Sequence, residues 1–279
     1  MIRNDFSTNA SIVIYGPIEP VTVRLISSLE RQCDSVHVVD NSPIHIADRN
    51  RSRLSHIQRI VFHSLSNNPG YGAAHNHALG DLPVSKNVVS LIVNPDIEIE
   101  DNTVEILSRF FEDPDVGLVM PRVVYPDGTV QQLARRVPSP RDVLHRIAKP
   151  YLRFKAGSYE LANLHWSHSV RVPIVSGCFM AIRSTVFARI GGFDERFFMY
   201  FEDYDLSRRA ASASTVVAAN IPTVIHHHGN ASRRSWSMAL VHLRSAITYF
   251  NKWGWLRDTE RTRLNEQIGY YYPVSGANT

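Results

Sequence analysis

The run VVSLIV at Val88 to Val93 constrains this chain more than any other stretch. It has the length and apolarity of a strand buried on both faces, and it stops at Asn94-Pro95-Asp96. Such a strand needs helices on either side of the sheet, and the preceding chain supplies them. Ser11 to Tyr15 reads as a short apolar strand, followed by a turn at Gly16, Pro17 and Pro20, then by Val21, Leu25, Ile26 and Leu29 at helical spacing. Val36 to Val39 is a second strand and ends in Asp40-Asn41-Ser42-Pro43. Ile60-Val61 leads to the loop Asn67-Asn68-Pro69-Gly70, and a helix fits Tyr71 to Leu79. Alternation of this kind predicts an α/β fold with one mostly parallel sheet flanked by helices. Ligands of such sheets lie beyond the carboxyl ends of the strands, where Asp40 and Asp96 fall.

After Asp96 the pattern changes. A helix is expected from Thr103 to Phe111, a strand from Gly117 to Val124, a turn at 126 to 128, a strand from Val175 to Arg183 with a short helix to Ile190, and a strand from Thr215 to His228. Trp236, Leu240, Leu243, Ile247 and Phe250 recur at spacings of four, three, four and three, which predicts a helix packing that stripe into a core. No stretch approaches the ~20 apolar residues of a membrane span, and the polar N-terminus lacks the apolar core of a signal peptide, so a cytoplasmic location is expected. Cys33 and Cys178 sit in apolar patterns and read as buried free thiols.

The net charge of +4 is unevenly spread. Between residues 134 and 155 there are seven basic side chains against one acidic one, and from residue 231 onward seven against three. Apolar residues are mixed into both segments, which suits anionic lipid or a diphosphate and argues against nucleic acid as the partner. Peripheral contact with the inner face of the plasma membrane is the corresponding expectation.

Three groups of residues can carry chemistry. Asp96 offers a carboxylate, and His226 and His228, two apart on a strand, share a face on which they can complete a divalent cation site. Imidazole tilts the choice toward Mn²⁺ over Mg²⁺. Glu202 and Asp203 lie among Phe198, Tyr200, Phe201 and Tyr204, a setting for a carboxylate base, although acidic residues also favour a helix start by charge alone. Asp40 can accept hydrogen bonds from a base or ribose, while Asn68 and Gly70 allow close backbone approach of a nucleotide.

With the strings VVDNS (38 to 42), NNPGYGAAHNHAL (67 to 79), LIVNPDIEI (91 to 99), VSGCFMAIR (175 to 183), GGFDERFFMYFEDYDL (191 to 206) and HHHG (226 to 229), the chain resembles the family 2 inverting glycosyltransferases of the GT-A fold, most closely their bacterial rhamnosyltransferase-like branch. The resemblance implies that Asp40 meets the nucleobase, and that Asn41, Asn68, Gly70, Tyr71, Asn76, Asn94 and Gly177 line a nucleotide-sugar pocket. It implies that Asp96, with His226 or His228, holds Mn²⁺ or Mg²⁺, and that Asp203 is the catalytic base with Glu202 beside it. Asn94-Pro95-Asp96 stands where many relatives carry an Asp-x-Asp pair, and Tyr15-Gly16-Pro17-Ile18 replaces a Thr-Tyr-Asn-like stretch. The implied donor is a nucleoside diphosphate sugar linked to dTDP or UDP, with rhamnose first, and the implied acceptor is a lipid-linked saccharide of surface polysaccharide or O-antigen synthesis. The implied organisation is a GT-A domain over 1–230, with a nucleotide-binding half at about 10–96 and an acceptor half at about 97–230, followed by a helical extension over 231–279. A nucleotidyltransferase, the rival enzyme class, calls for a Gly-rich basic loop after the first strand. Tyr15 to Pro20 holds one glycine and no basic residue.

Overall fold

The computed structural model describes residues 6–148, 161, 167–227 and 236–272. Its first half alternates strand and helix: β1 (Ser7–Ile14), α1 (Pro20–Gln32), β2 (Ser35–Asp40), α2 (Ile44–Arg53), β3 (Ile60–Ser64), α3 (Tyr71–Leu79) and β4 (Val88–Val93). All six residues of β4 are buried, as its apolar run demands. The second half holds β5 (Ile97–Glu98), α4 (Thr103–Arg109) running on as a short 3-10 turn, β6 (Val116–Val124), α5 (Pro140–Ala148), β7 (Val170–Arg171), β8 (Phe179–Arg183), α6 (Ser184–Arg189), α7 (Glu202–Ala213), β9 (Thr215–His226), α8 (Trp236–Trp253), α9 (Thr259–Glu266) and β10 (Gly269–Tyr270).

One sheet runs in the order β10-β7-β9-β6-β8-β4-β1-β2-β3, with β5 on the end of β9. Of its five long ladders, those of β1 with β2, β1 with β4, β2 with β3 and β6 with β9 are parallel, and β4 with β8 is antiparallel. Helices α1 and α4 pack together, while α3, α6 and α7 form a second set. The main core lies along the sheet, around Ile12, Val38, Ile92, Met180 and Val217. A second, smaller cluster joins Val143 of α5, Phe201 and Tyr204 beside the start of α7, Tyr249 and Phe250 of α8, and Leu264 of α9.

Two sequence expectations are corrected. The run 175–183 is not one strand: only Phe179 to Arg183 pairs in the sheet, because Ser176 to Cys178 turn aside to meet α7. On α8 the stripe read as core is mostly outside. Leu240 is 66% exposed, and Leu243 and Ile247 are exposed as well, while Ser245, Ala246, Tyr249 and Phe250 form the buried face. Among the described residues, no helix is long and apolar enough to cross a membrane.

Candidate active site

The carboxyl ends of β4 and β9 meet because β5 turns back antiparallel onto β9, pairing Ile97 with His226. Asp96, just before β5, accepts the backbone N–H of His227 on its carbonyl at 2.9 Å, and its side chain meets the imidazole of His226, Nε2 to Oδ1, at 3.3 Å. His226 is buried, and its Nδ1 lies 2.9 Å from Oε1 of Gln131, whose amide nitrogen donates in turn to the His226 carbonyl at 3.0 Å. Burial opposes a charge on this imidazole, but Asp96 and the sulfur of Cys178 outweigh it and raise its pKa to about 10. A divalent cation can replace the proton between the Asp96 carboxylate and Nε2, which ligates only as the neutral imidazole. Carboxylate and imidazole suit such an ion, with diphosphate oxygens and water to fill the remaining positions. Among the described residues no group of three or more His, Cys, Asp or Glu side chains forms a fuller cage. His227 points elsewhere and meets Glu98 at 3.1 Å. His228 lies outside the described residues.

From Asn94 a second set of contacts leads to the acidic pair on α7. The phenol of Tyr71 lies 2.9 Å from Oδ1 of Asn94 and 2.8 Å from the carbonyl of Gly177. The phenol has one proton to give, so it serves one of these acceptors at a time. Gly177 in turn donates its N–H to Oδ2 of Asp203 at 3.1 Å, and the other carboxylate oxygen of Asp203 accepts the N–H of Tyr204 at 2.9 Å. Glycine at 177 allows this close approach: a Cβ there would stand a tight 3.2 Å from that of Asp203 and 3.6 Å from the Tyr71 ring. Burial raises the Tyr71 pKa, and so do the charges of Glu202, Asp203 and Asp96, which places these groups around one ring.

The two neighbouring carboxyls are not equivalent. Glu202 is buried, its Oε2 has no hydrogen-bond partner, and burial followed by the charge of Asp203 drives its pKa well above the carboxylate range. A carboxyl so buried favours its neutral form, which makes the more exposed Asp203 the better placed of the two to accept a proton. Asp203 is partly exposed and is oriented by two backbone donors.

On the nucleotide side the structure redistributes the expected roles. Asp40 is fully buried, and its oxygens accept from the Ser42 N–H and the Asn50 amide, each at 2.8 Å. It shapes the β2 loop rather than facing a base. Asn41 follows it with a buried Oδ1 that lacks a partner, beside the Gly70 carbonyl. Asn68 and Gly70 both have positive φ, 41° and 103°, which bends the loop so that Gly70 lies directly against the Phe198 carbonyl. Asn76 does not line this pocket. Its amide is used by the N–H and carbonyl of Phe193 and by Glu195, tying α3 to the segment before α7. Sequence reasoning missed Gln131, which has no motif around it, and Tyr15, which stands 70% exposed at the carboxyl end of β1 beside the Ser42 loop. An exposed aromatic at a strand end was the available signal for Tyr15.

Comparison with known proteins shows the family and the fold. The family described as "Glycosyltransferase like family 2" matches residues 35–245. The N-acetylglucosaminyl-diphospho-decaprenol L-rhamnosyltransferase of Mycobacterium tuberculosis is 28% identical over 217 residues, 72% of this chain and 70% of that protein. The O-antigen biosynthesis protein RfbC of Myxococcus xanthus is 30% identical over 148 residues, 52% of this chain and 11% of its own length. Among solved structures, S. aureus TarS 1-349 in complex with UDP-GlcNAc superposes with a TM-score of 0.57 at 14% identity, covering 93% of this chain and 70% of that one. GalNAc-T7 with UDP, GalNAc and Mn²⁺ gives 0.56 at 13% identity, covering 79% and 43%. The chain belongs to glycosyltransferase family 2, and it is a transferase of sugars on a GT-A fold.

Proposed function

We propose that this glycosyltransferase moves a sugar, rhamnose in the first instance, from a nucleoside diphosphate to a hydroxyl of a lipid-linked saccharide in surface polysaccharide synthesis, with inversion at the anomeric carbon. The reading is carried by one observation: the Asp96–His226 pair and the Gly177–Asp203 pair are joined through Asn94 and the Tyr71 phenol. Asp96 and His226 would hold a divalent cation, which would supply charge stabilisation for a departing diphosphate. Gln131 holds the His226 ring in place by its Nδ1. Asp203, held by two backbone N–H groups, accepts the acceptor hydroxyl proton as the oxygen attacks. A single base and a single displacement give the opposite anomer. Glu202 stays protonated beneath it and adds no second negative charge to the site.

On the donor side, the unpartnered Asn41 oxygen and the exposed Tyr15 ring suit a pyrimidine, one as an acceptor and one as a stacking face, which fits either dTDP or UDP. The names of the relatives support a diphosphate-linked lipid acceptor. So does the outer face of α8, where Leu240, Leu243 and Ile247 are exposed on a helix with no acidic residue. That face also supports peripheral contact with the inner face of the membrane.

The two acids separate the roles experimentally. Asp203→Asn is expected to lower turnover by roughly 10² to 10⁴ fold, the usual contribution of a general base. Thermal shifts with UDP or dTDP and Mn²⁺ should stay unchanged in this variant. Glu202→Gln, which copies a neutral carboxyl, should retain most activity. Turnover that survives Asp203→Asn rejects the assigned base.

A further inference from the structure

The segment that delivers Asp203 is backbone-strained, and it is held from two sides. Tyr200 and Phe201 have φ of 67° and 65°, the left-handed region that aromatic residues rarely occupy. Two consecutive residues in such a conformation persist only where surrounding contacts over-determine them. Before the turn, the Phe198 carbonyl accepts the Tyr71 N–H at 2.9 Å, which ties it to the donor loop. The next carbonyl, of Met199, accepts the hydroxyl of Ser245 on α8 at 2.7 Å. His242, one helical turn earlier, lies against both strained rings, 5.1 Å from that of Tyr200 and 5.3 Å from that of Phe201. The Phe201 ring is further enclosed by Tyr204 and by Tyr249 of α8. Phe201 then caps α7, its carbonyl accepting the Asp205 N–H at 2.9 Å, and Glu202 and Asp203 follow immediately.

We propose that Ser245 is a positioning residue for the transfer reaction: its hydrogen bond to the Met199 carbonyl holds the Tyr200–Phe201 turn left-handed and so fixes the direction in which Asp203 leaves the start of α7. Helix α8 thereby sets the geometry of the carboxylate through the backbone of the turn that precedes it. Ser245 is only 4% exposed, which leaves it no role toward solvent or substrate. The hydroxyl reaches the backbone of the turn directly, donating to the Met199 carbonyl. Loss of this bond releases the turn toward negative φ and swings the first turn of α7, while the donor loop, anchored at Tyr71, stays in place.

The proposal rests on Asp203 being the base, and the test separates the two ideas. Ser245→Ala, Ser245→Thr and the double variant Ser245→Ala/Tyr200→Gly are compared with the native chain in two ways. Hydrogen exchange of the amides of residues 199–205 needs no substrate. It should quicken about tenfold in Ser245→Ala, stay native in Ser245→Thr, and return toward native in the double variant, because glycine adopts positive φ without strain. Steady-state transfer from dTDP-rhamnose to a polyprenyl-diphosphate N-acetylglucosamine should then show a kcat lowered about tenfold or more in Ser245→Ala, with the donor KM unchanged and the rate regained in the other two. Native exchange in Ser245→Ala overturns the proposal, as does a loss expressed as a raised donor KM or a double variant no better than Ser245→Ala. An absence of transfer by the native chain condemns the choice of sugar or acceptor instead, and the exchange result stands by itself.

Discussion

Around β1, β2 and β4 the buried polar contacts are, Asp40 apart, between neutral groups, whereas around α7, α8 and α9 they are mostly ion pairs. On the first side Ser11 lies 2.8 Å from Nδ1 of a fully enclosed His75, and Asn50 joins Asp40 to the Gly16 carbonyl. On the second, Arg208 is 1% exposed at its side chain, grips both oxygens of Asp258 at 2.5 and 2.8 Å, and lies 4.0 Å over the Trp253 ring. One turn away the buried Asp205 accepts from Arg209 and from the Trp253 indole at 2.8 Å each and pairs with Lys252 at 2.6 Å. The parallel sheet needs no charges, since its ladders and the apolar core specify register. Helices packed on a helix lack a ladder, and here directional ion pairs fix how α8 and α9 sit on α7.

That contrast breaks most visibly at Arg208. Arg208→Ala leaves Asp258 buried without its partner and is expected to cost about 3–5 kcal/mol, read from urea unfolding. Arg208→Met, which keeps apolar volume, should cost clearly less if Asp258→Asn accompanies it. A loss under about 1 kcal/mol in Arg208→Ala, within the range of surface substitutions and rim ion pairs, would reduce the pair to a surface contact.

Acid should weaken the opposite side first. Burial lowers His75 to about 3, and burial with the neighbouring His63 lowers His37 to about 4, against about 6.5 in an unfolded chain. Between those values the unfolded state binds more protons, so stability is complete above about pH 6.5 and falls as pH drops toward 4 and then 3. The enclosed His75 should account for a few kcal/mol of that loss, on the order expected from such a displacement. Arginine stays charged throughout, so hydrogen exchange at pH 5 is expected to quicken in α3 and β1 before α7. The comparison fails if α7 opens first.

The same divide explains what the sequence could reveal. The bounds of β4 and α3 were legible because a continuous apolar run and the Pro69-Gly70 punctuation decide them locally. Helix α2 was not, because only Ala47 and Asn50 of its ten residues are buried and no apolar period marks it. Asp96, Asp203 and His226 could be singled out from chemistry and resemblance. The raised pKa of Glu202 could not, since it depends on burial created by distant segments. Nor could the Tyr200–Phe201 turn, because aromatic residues in left-handed backbone run against local preference and are imposed by α8.

The outer face of α8 offers the smallest effect on folding and the sharpest test of what lies beyond it. Its inner face carries Ala246, Tyr249 and Phe250 into the second core, whereas Leu240 and Leu243 are 66% and 49% exposed. Replacing both leucines with serine removes apolar surface that already faces water, so unfolding midpoints should stay within about 0.5 kcal/mol of native. If the face instead enters the boundary of an anionic bilayer, each leucine contributes about 1.5–3 kcal/mol on full burial. The double variant should then lose at least tenfold in sedimentation with vesicles containing phosphatidylglycerol, and it should transfer to a short water-soluble acceptor as the native chain does. Undiminished vesicle binding removes this face from the acceptor's route, and a lowered unfolding midpoint returns the stripe to the core that the spacing of its residues first suggested.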